Sequence, residues 1–420
     1  MELKPGYKRT EAGVIPTDWS YAKLDEISLM SSGTTPARSL ANRYYRNGTT
    51  PWVKTLDLNN AEIFETDECV TTAAVEETSL RPYPVGSVLV AMYGGFNQIG
   101  RTGLLRVPAA VNQAITAIQP NRTELHPEFL LATLNFKVDY WKAVASSSRK
   151  DPNITSQDIR SFPLAYPSVV EQQAIATTLR DVDALISSLD SLIAKKRDIK
   201  QATMQQLLTG KQRLPGFSGE WQMKRLKELG TTYGGLIGKN KDDFTHGTAY
   251  YVPFVNVIAN VVIDCEAFDT VNVCIGETQN RVLKDDLLFN GSSETPDEVA
   301  MCALVAHDID DLYLNSFCFG FRLKSDAQVN GLFMAYYLRG PVGRDLIKSL
   351  AQGSTRYNLS KVALLDAVLQ LPGKAEQTAI ASVLSDMDTE IAALEHKRDK
   401  TRALKQGMMQ ELLTGRIRLV

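Results

Sequence analysis

The chain has 420 residues, 44% of them hydrophobic and 22% charged, with a formal net charge of −2. This composition suits two or three globular domains and excludes a disordered or uniformly basic tail protein, although a near-neutral chain can still bind nucleic acid if its basic groups cluster. No run of about 18 apolar residues occurs, and the opening MELKPGYKRTEAGVIP has no apolar stretch of signal-peptide length; a cytoplasmic protein with no membrane contact is expected.

The first block, residues 1–166, reads as mixed helix and strand. Strands are expected at Ser87–Met92, Gly103–Val107 and Ile115–Ile118, and a helix at Pro127–Tyr140. After Pro167 the pattern changes. Ile175, Leu179, Val182, Ile186, Leu189 and Ile193 are spaced alternately by four and three, the seam of a coiled coil. Ser168 is the expected N-cap, and Gly210 the C-terminal stop. The helix, within 167–212, is on the order of 60 Å long. A second mixed block follows, 213–371, with strands expected at Val252–Val257, Leu287–Asn290 and Phe317–Leu323 and a helix at Gly331–Leu338. A second long helix, within 372–420, carries Ile380, Leu384, Met387, Ile391 and Leu394 and closes at Gly415. The basic clusters Lys195-Lys196-Arg197 and Lys397-Arg398 read first as solvated helix faces.

The two helices are copies. EQQAIATTLRDVDALISSL from Glu171 matches EQTAIASVLSDMDTEIAAL from Glu376 at an offset of 205, and the match continues ungapped to 214 and 419 with 22 identities in 44 positions. The blocks share little beyond weak anchors, Trp19 with Trp221 and Asn153-Ile-Thr with Asn358-Leu-Ser. The second helix stops at Arg418-Leu419-Val420, where the first runs on through Arg213-Leu214 towards Trp221; the missing continuation, Ile15-Pro16 to Trp19, lies at the other end of the chain. The pattern predicts an α+β protein in which two α/β domains are separated by two long antiparallel coiled-coil helices. Its halves should be related by a pseudo-two-fold, with the chain ends close together.

Catalytic and ligand motifs are missing. His126, His246, His307 and His396 have no metal-ligand spacing, and the five cysteines include no C-x-x-C pair. Gly234-Gly-Leu-Ile-Gly-Lys239 is one residue short of a phosphate loop, and Asn240 replaces its Ser or Thr. Neither a G-x-G-x-x-G fingerprint nor the Asn/Asp-Pro-Pro-Tyr tetrad of an amino-methyltransferase is present. The chain reads as a non-catalytic binding protein without metal or cofactor of its own.

Its polar loops suit DNA, whose bases and phosphates are read by Arg, Lys, Asn, Gln and hydroxyl side chains. Candidates in the first block are Arg38, Arg43 and Tyr45, then Tyr93, Asn97, Gln98 and Arg101 in a glycine loop after a strand, then Arg149, Lys150 and Asn153. In the second they are Lys239, then Ser292, Ser293 and Thr295, then Arg356, Tyr357 and Asn358. The last group of each block precedes its long helix at the repeat offset. A coiled-coil adaptor that reads no DNA would leave these paired loops unexplained. A fused enzyme with a catalytic centre of its own is disfavoured by the missing catalytic motifs.

The duplicated E-Q-x-A-I-A helix starts, the duplicated L-L-T-G helix ends, Trp19 and Trp221, Phe254-Val-Asn256-Val257 and Gly353-Ser-Thr together resemble the specificity-subunit family of type I restriction–modification systems. The resemblance covers essentially the whole chain and adds Asn256 to the DNA candidates. It implies that each block is a target-recognition domain for one half of an asymmetric, interrupted site on double-stranded DNA, with the helices setting the spacing. It also implies docking of two modification subunits, which bring S-adenosylmethionine, and of restriction subunits, with ATP and magnesium on those partners. Gln172, Gln201, Gln205 and their copies Gln377, Gln406 and Gln410 are then expected to face them.

Overall fold

The computed structural model describes residues 5–95, 98–145, 153–244, 246–274 and 276–419. Contacts gather the chain into two compact units, Met1–Asp190 with Lys397–Val420, and Ser191–His396. Each unit contains one variable block and one half of each long helix.

In the first unit a five-stranded sheet runs in the order Ser28–Ser32, Ile115–Pro120, Val88–Ala91, Thr102–Leu105, Ala61–Ile63. Its central strands are buried along their whole length because both faces are covered. On one face Phe129, Leu130 and Leu134 of the helix Pro127–Phe136 pack with Trp141, Ile175 and Leu179. On the other lies a small sheet in which Thr50–Val53 pairs parallel with Ala110–Val111 and antiparallel with Cys69–Val70.

The second unit repeats this plan with a different sequence. Its sheet runs Gly230–Gly234, Cys318–Leu323, Leu287–Asn290, Cys302–Leu304. A parallel bridge from Val262 to Leu304 stands where the first unit has a fifth strand. Ala249–Val252 pairs parallel with Leu312–Leu314 and antiparallel with Asp269–Val271, the arrangement of the first small sheet. The expected strand at 252–257 is corrected: the strand ends at Val252, and Pro253, in extended conformation, immediately precedes the helix Phe254–Ala259. Proline has no amide to continue the ladder and its fixed φ suits a helix start. The expected helix at 127–140 divides at Lys137 into Pro127–Phe136 and Val138–Ala145. The amphipathic helix Pro341–Leu350 was not among the expected elements.

The long helices, Val169–Leu207 and Lys374–Leu412, have 39 residues each. Ile175, Leu179, Ile186 and Leu189 are buried in the first unit. Ile193, Ile380, Leu384 and Ile391 are buried in the second. Ion pairs across the seam set the direction. In the first unit Lys405 meets Asp183 at 2.6 Å and Arg402 meets Asp190 at 2.9 Å; in the second Arg197 meets Glu395 and Lys200 meets Asp388. As one residue number rises its partner's falls, so the segments are antiparallel in each unit. Lys196 and Arg197 of the first basic cluster and Arg398 of the second thus meet acids of the opposite helix, Glu390, Glu395 and Asp190.

Both helices end on a glycine with φ +69°, Gly210 and Gly415. This left-handed conformation is easy only without a Cβ. Gly415 sits against Pro16, which ends an early strand, and Trp19 in the turn that follows, and Tyr7 Oη reaches the Gly415 carbonyl at 3.5 Å. The two ends of the chain meet in the first unit, as the interrupted repeat predicts. Among the described residues no helix is long and apolar enough to cross a membrane.

Candidate nucleic-acid interface

The candidate loops gather at one end of each large sheet. In the second unit the strand Leu287–Asn290 ends on a buried asparagine. Asn290 donates to the carbonyls of Glu298 at 2.8 Å and Ser292 at 3.1 Å, and its oxygen accepts from Met301 N at 2.6 Å. One side chain thus fixes a ten-residue loop. The loop pairs with the segment that precedes the long helix, Ser292 opposite Asn358 and Ser293 opposite Tyr357. Leu359 N closes the contact on Gly291 O at 3.1 Å. Mutual bonds between Gln352 and Asn358 then fold residues 352–358 into a hairpin whose tip exposes Ser354, Thr355 and Arg356. Gly353 is required there, with φ +125° and no room for a Cβ beside Arg356 O.

The first unit makes the same junction. Ile154 N donates to Met92 O at 3.1 Å, the counterpart of the Leu359 to Gly291 bond. Tyr93 is 45% exposed just past the strand, and Gly94, with φ +123°, lets the loop turn so tightly that a Cβ would meet Gln98. Ile99 N and Gln98 N both bond to Gly95 O. Tyr93, Gln98, Arg101 and Asn153 are brought to this edge; Asn97, Arg149 and Lys150 lie outside the described residues.

Several expected residues are committed elsewhere. Arg38 and Arg43 belong to the small-sheet layer and pair with Glu68 and Glu77. Arg38 also stacks on Tyr45, 4.1 Å from the ring centre, and the Tyr45 hydroxyl donates to Pro36 O. The Lys239 side chain is only 6% exposed and its ammonium meets Glu277 at 2.6 Å. That contact, with help from Gln279 and the Cys274 amide, holds the Glu277 carboxyl down at about 2. Asn256 is corrected to a structural role: it is buried and spends its amide on Asp264 N, Asp264 O, Ala267 O and Asn260. Ser293 and Thr295 share Glu298 as a hydroxyl acceptor, each at 3.3 Å.

Gln172 and Gln377 are corrected in the same way. Both are buried. Gln172 accepts from His126 N at 2.8 Å and donates to Glu124 O and Pro167 O. Gln377 makes the matching set with Asn330 N, Gln328 O and Pro372 O. These glutamines bolt each domain to its helix start, whereas Gln201, Gln205, Gln406 and Gln410 are exposed.

One candidate escaped sequence reasoning. Exposed Lys361 opens the helix Lys361–Asp366, its ammonium 6.0 Å from the Phe319 ring centre at the same sheet edge. Its only sequence signal is its place three residues after Asn358. His126 is half-buried, and burial lowers its pKa; no cluster able to hold a metal occurs among the described residues.

Comparison with known proteins agrees with this duplicated geometry. A family profile described as the type I restriction modification DNA specificity domain matches residues 16–195 and again 218–401. The chain belongs to this family. The MjaIX specificity subunit of Methanocaldococcus jannaschii is 31% identical over 187 residues, a stretch that spans 43% of this chain and 42% of that relative. The putative MjaX specificity subunit of the same organism is 22% identical over 98% of this chain and 97% of its own length. The crystal structure of a type I S subunit from M. genitalium superposes with a TM-score of 0.57 at 14% identity, covering 98% of both chains. At that identity the likeness is one of fold.

Proposed function

We propose that this family member reads a bipartite target on double-stranded DNA, one half-site per unit, and docks modification and restriction subunits without catalysing a reaction itself. The observation that carries the reading is the repeated junction. In two domains of different sequence, the end of a central strand and the segment before a long helix are joined by the same backbone bond, from Ile154 to Met92 and from Leu359 to Gly291. Side chains around a shared frame differ, as reading two unlike half-sites requires: Tyr93, Gln98, Arg101 and Asn153 in one, Arg356, Tyr357, Asn358 and Lys361 in the other. The exposed glutamines Gln201, Gln205, Gln406 and Gln410 lie on the helix faces offered to partners. S-adenosylmethionine, ATP and magnesium belong to those partners, and the complex works in the cytoplasm.

The test is duplex DNA retardation by the purified chain with and without its modification subunit, together with sequencing of methylated adenines in a host carrying the system. A single interrupted motif, dependent on this chain, is the expected result. Methylation whose sequence does not change when this chain is replaced would overturn the reading.

A further inference from the structure

Each unit has a cleft between its domain and the helix pair, and the two clefts occupy repeat-equivalent places. The first encloses about 680 Å³ and is lined by Glu62, Glu128, Arg180, Asp183 and Lys405. The second encloses about 900 Å³ and is lined by Arg197, Lys200, Arg339, Arg344, Asp388 and Glu395. At the offset of 205, Lys405 and Asp183 correspond to Lys200 and Asp388, and both couples form ion pairs.

The rest of the lining differs in charge. In the first cleft every acid has a basic neighbour: Glu62 and Glu128 bind Arg106, and Glu128 also binds Arg180. In the second, Arg197 and Lys200 are matched by Glu395 and Asp388, which leaves Arg339 and Arg344 in excess. In the helix after each glutamine contact, Asn330 stands where His126 does, an offset of 204, so the counterparts of Arg339 and Arg344 are the uncharged Asn135 and Tyr140.

Among the described residues neither of these arginines forms an ion pair. Arg339 donates to the carbonyls of Val257 at 2.7 Å, Asn260 at 2.6 Å and Cys302 at 2.5 Å. Arg344, 9% exposed, donates to Val299 O at 2.7 Å, and its Nε is buried without a partner. Burial depresses both guanidinium pKa values, and Asp297, whose charge acts against that effect at Arg344, is already paired with Lys348. Two cations held by carbonyl dipoles alone favour an incoming anion. Asp388 and Glu395 on the same walls oppose a polyphosphate and suit a protein segment that presents one or two carboxylates between apolar residues.

We propose that the second cleft receives an acidic segment of one modification subunit and that its counterpart in the first unit does not. Two copies of the same partner are therefore held unequally. This rests on the docking role proposed above.

The test uses the full chain titrated with its modification subunit at low and high salt, the two binding steps resolved by native mass spectrometry. Thr389→Glu with Ala392→Glu places negative charge on exposed positions of the second cleft. Thr389→Gln with Ala392→Gln has similar bulk, and Ala184→Glu with Ser187→Glu is the repeat-equivalent change in the first cleft. Unequal steps are expected in the unaltered chain. The first pair should weaken one step by on the order of tenfold at low salt and less at high salt, since screening weakens charge complementarity. The glutamine pair and the first-cleft pair should leave both steps within about threefold. Equal steps, equal losses from both acidic pairs, an equal loss from the glutamine pair, or weakened DNA binding with subunit binding intact would each overturn the proposal. No subunit binding by the unaltered chain would instead remove the docking role on which it rests.

Discussion

Arg418 holds Glu171 in a two-pronged grip, Nε to Oε1 at 2.7 Å and Nη2 to Oε2 at 2.7 Å, and the carboxylate is 2% exposed. At the repeat offset, Arg213 makes the same grip on Glu376, also 2% exposed by residue. Each arginine follows the end of one long helix, and each glutamate begins the other. The contact closes a helix pair at the point where its domain attaches. Removing the arginine leaves a buried carboxylate unpaired, a change that typically costs about 3–5 kcal/mol. Arg418 is 28% exposed and also serves Asp18, so the lower end applies. Arg418→Ala should lower stability by about 3 kcal/mol in denaturant titrations, Arg213→Ala should lower it in the same direction, and Glu171→Gln should soften the first loss. A loss below about 1 kcal/mol from Arg418→Ala would show that water replaces the pair.

The helix stops supply a second comparison. Gly210 and Gly415 share φ +69°, and alanine in that conformation costs roughly 1 kcal/mol. Their surroundings differ. A Cβ on Gly210 would lie 3.3 Å from the Trp221 ring, whereas on Gly415 it would lie 2.5 Å from Pro16 and 3.0 Å from Trp19. Gly415→Ala should therefore cost more than Gly210→Ala, by about 1–3 kcal/mol of overpacking. Equal melting shifts would mean that the Pro16–Trp19 segment yields freely.

Much of this architecture was legible because helices announce themselves. Period and identity are both strong in the stretch from Glu171 to Gly210, and the strand Leu287–Asn290 is a short apolar run with a polar end. Other features depend on tertiary context. Asn256 looks like a base reader in sequence, but only the fold shows the backbone groups of Asp264 and Ala267 that consume its amide. Gln172 and Gln377 sit just outside the apolar seam and so read as surface; the domain, not the partner helix, covers them. The loops of the interface were visible as polar glycine segments, but their pairing across about 60 residues of chain is set by Asn290 and the strand ends.

Those assignments separate two asparagine and arginine substitutions by readout. Asn256→Ala leaves Asp264 N and two carbonyls without partners and should cost about 1–3 kcal/mol of stability, with DNA affinity of the folded fraction unchanged. Arg356→Ala at the hairpin tip should leave stability within about 0.5 kcal/mol. It should lower DNA affinity by about 1–3 kcal/mol for a base contact, or reduce the salt slope by about one for a phosphate contact. Reversed readouts would exchange the two roles.

Acid sensitivity follows from Lys239 and Glu277. The folded carboxyl titrates at about 2 against an ordinary value of 4.5, so between those pH values the unfolded chain binds more protons than the folded one. This contribution is complete above the ordinary carboxylate range and is lost as pH falls towards 2. Glu277→Gln should be less stable near neutrality and show a flatter stability curve from pH 4.5 to 2. A variant whose acid limb parallels that of the unaltered chain would exclude this pair as a cause.

The last prediction concerns the independence of the two readings. Each unit contains its own large sheet, its own small sheet and its own strand-to-helix junction, and the described interface residues of one block contact sheets of that block. Replacing residues 1–166 by the corresponding block of another specificity subunit should change one half-site and preserve the other. The graft must keep the attachments used by the constant helices: Trp19 against Gly415, Asp18 on Arg418, and the backbone groups of Glu124 and His126 on Gln172. A graft that lacks them should lose stability before it loses specificity, which thermal melting separates from methylation mapping. Two changed half-sites in a stably folded graft would show that the blocks do not read DNA separately.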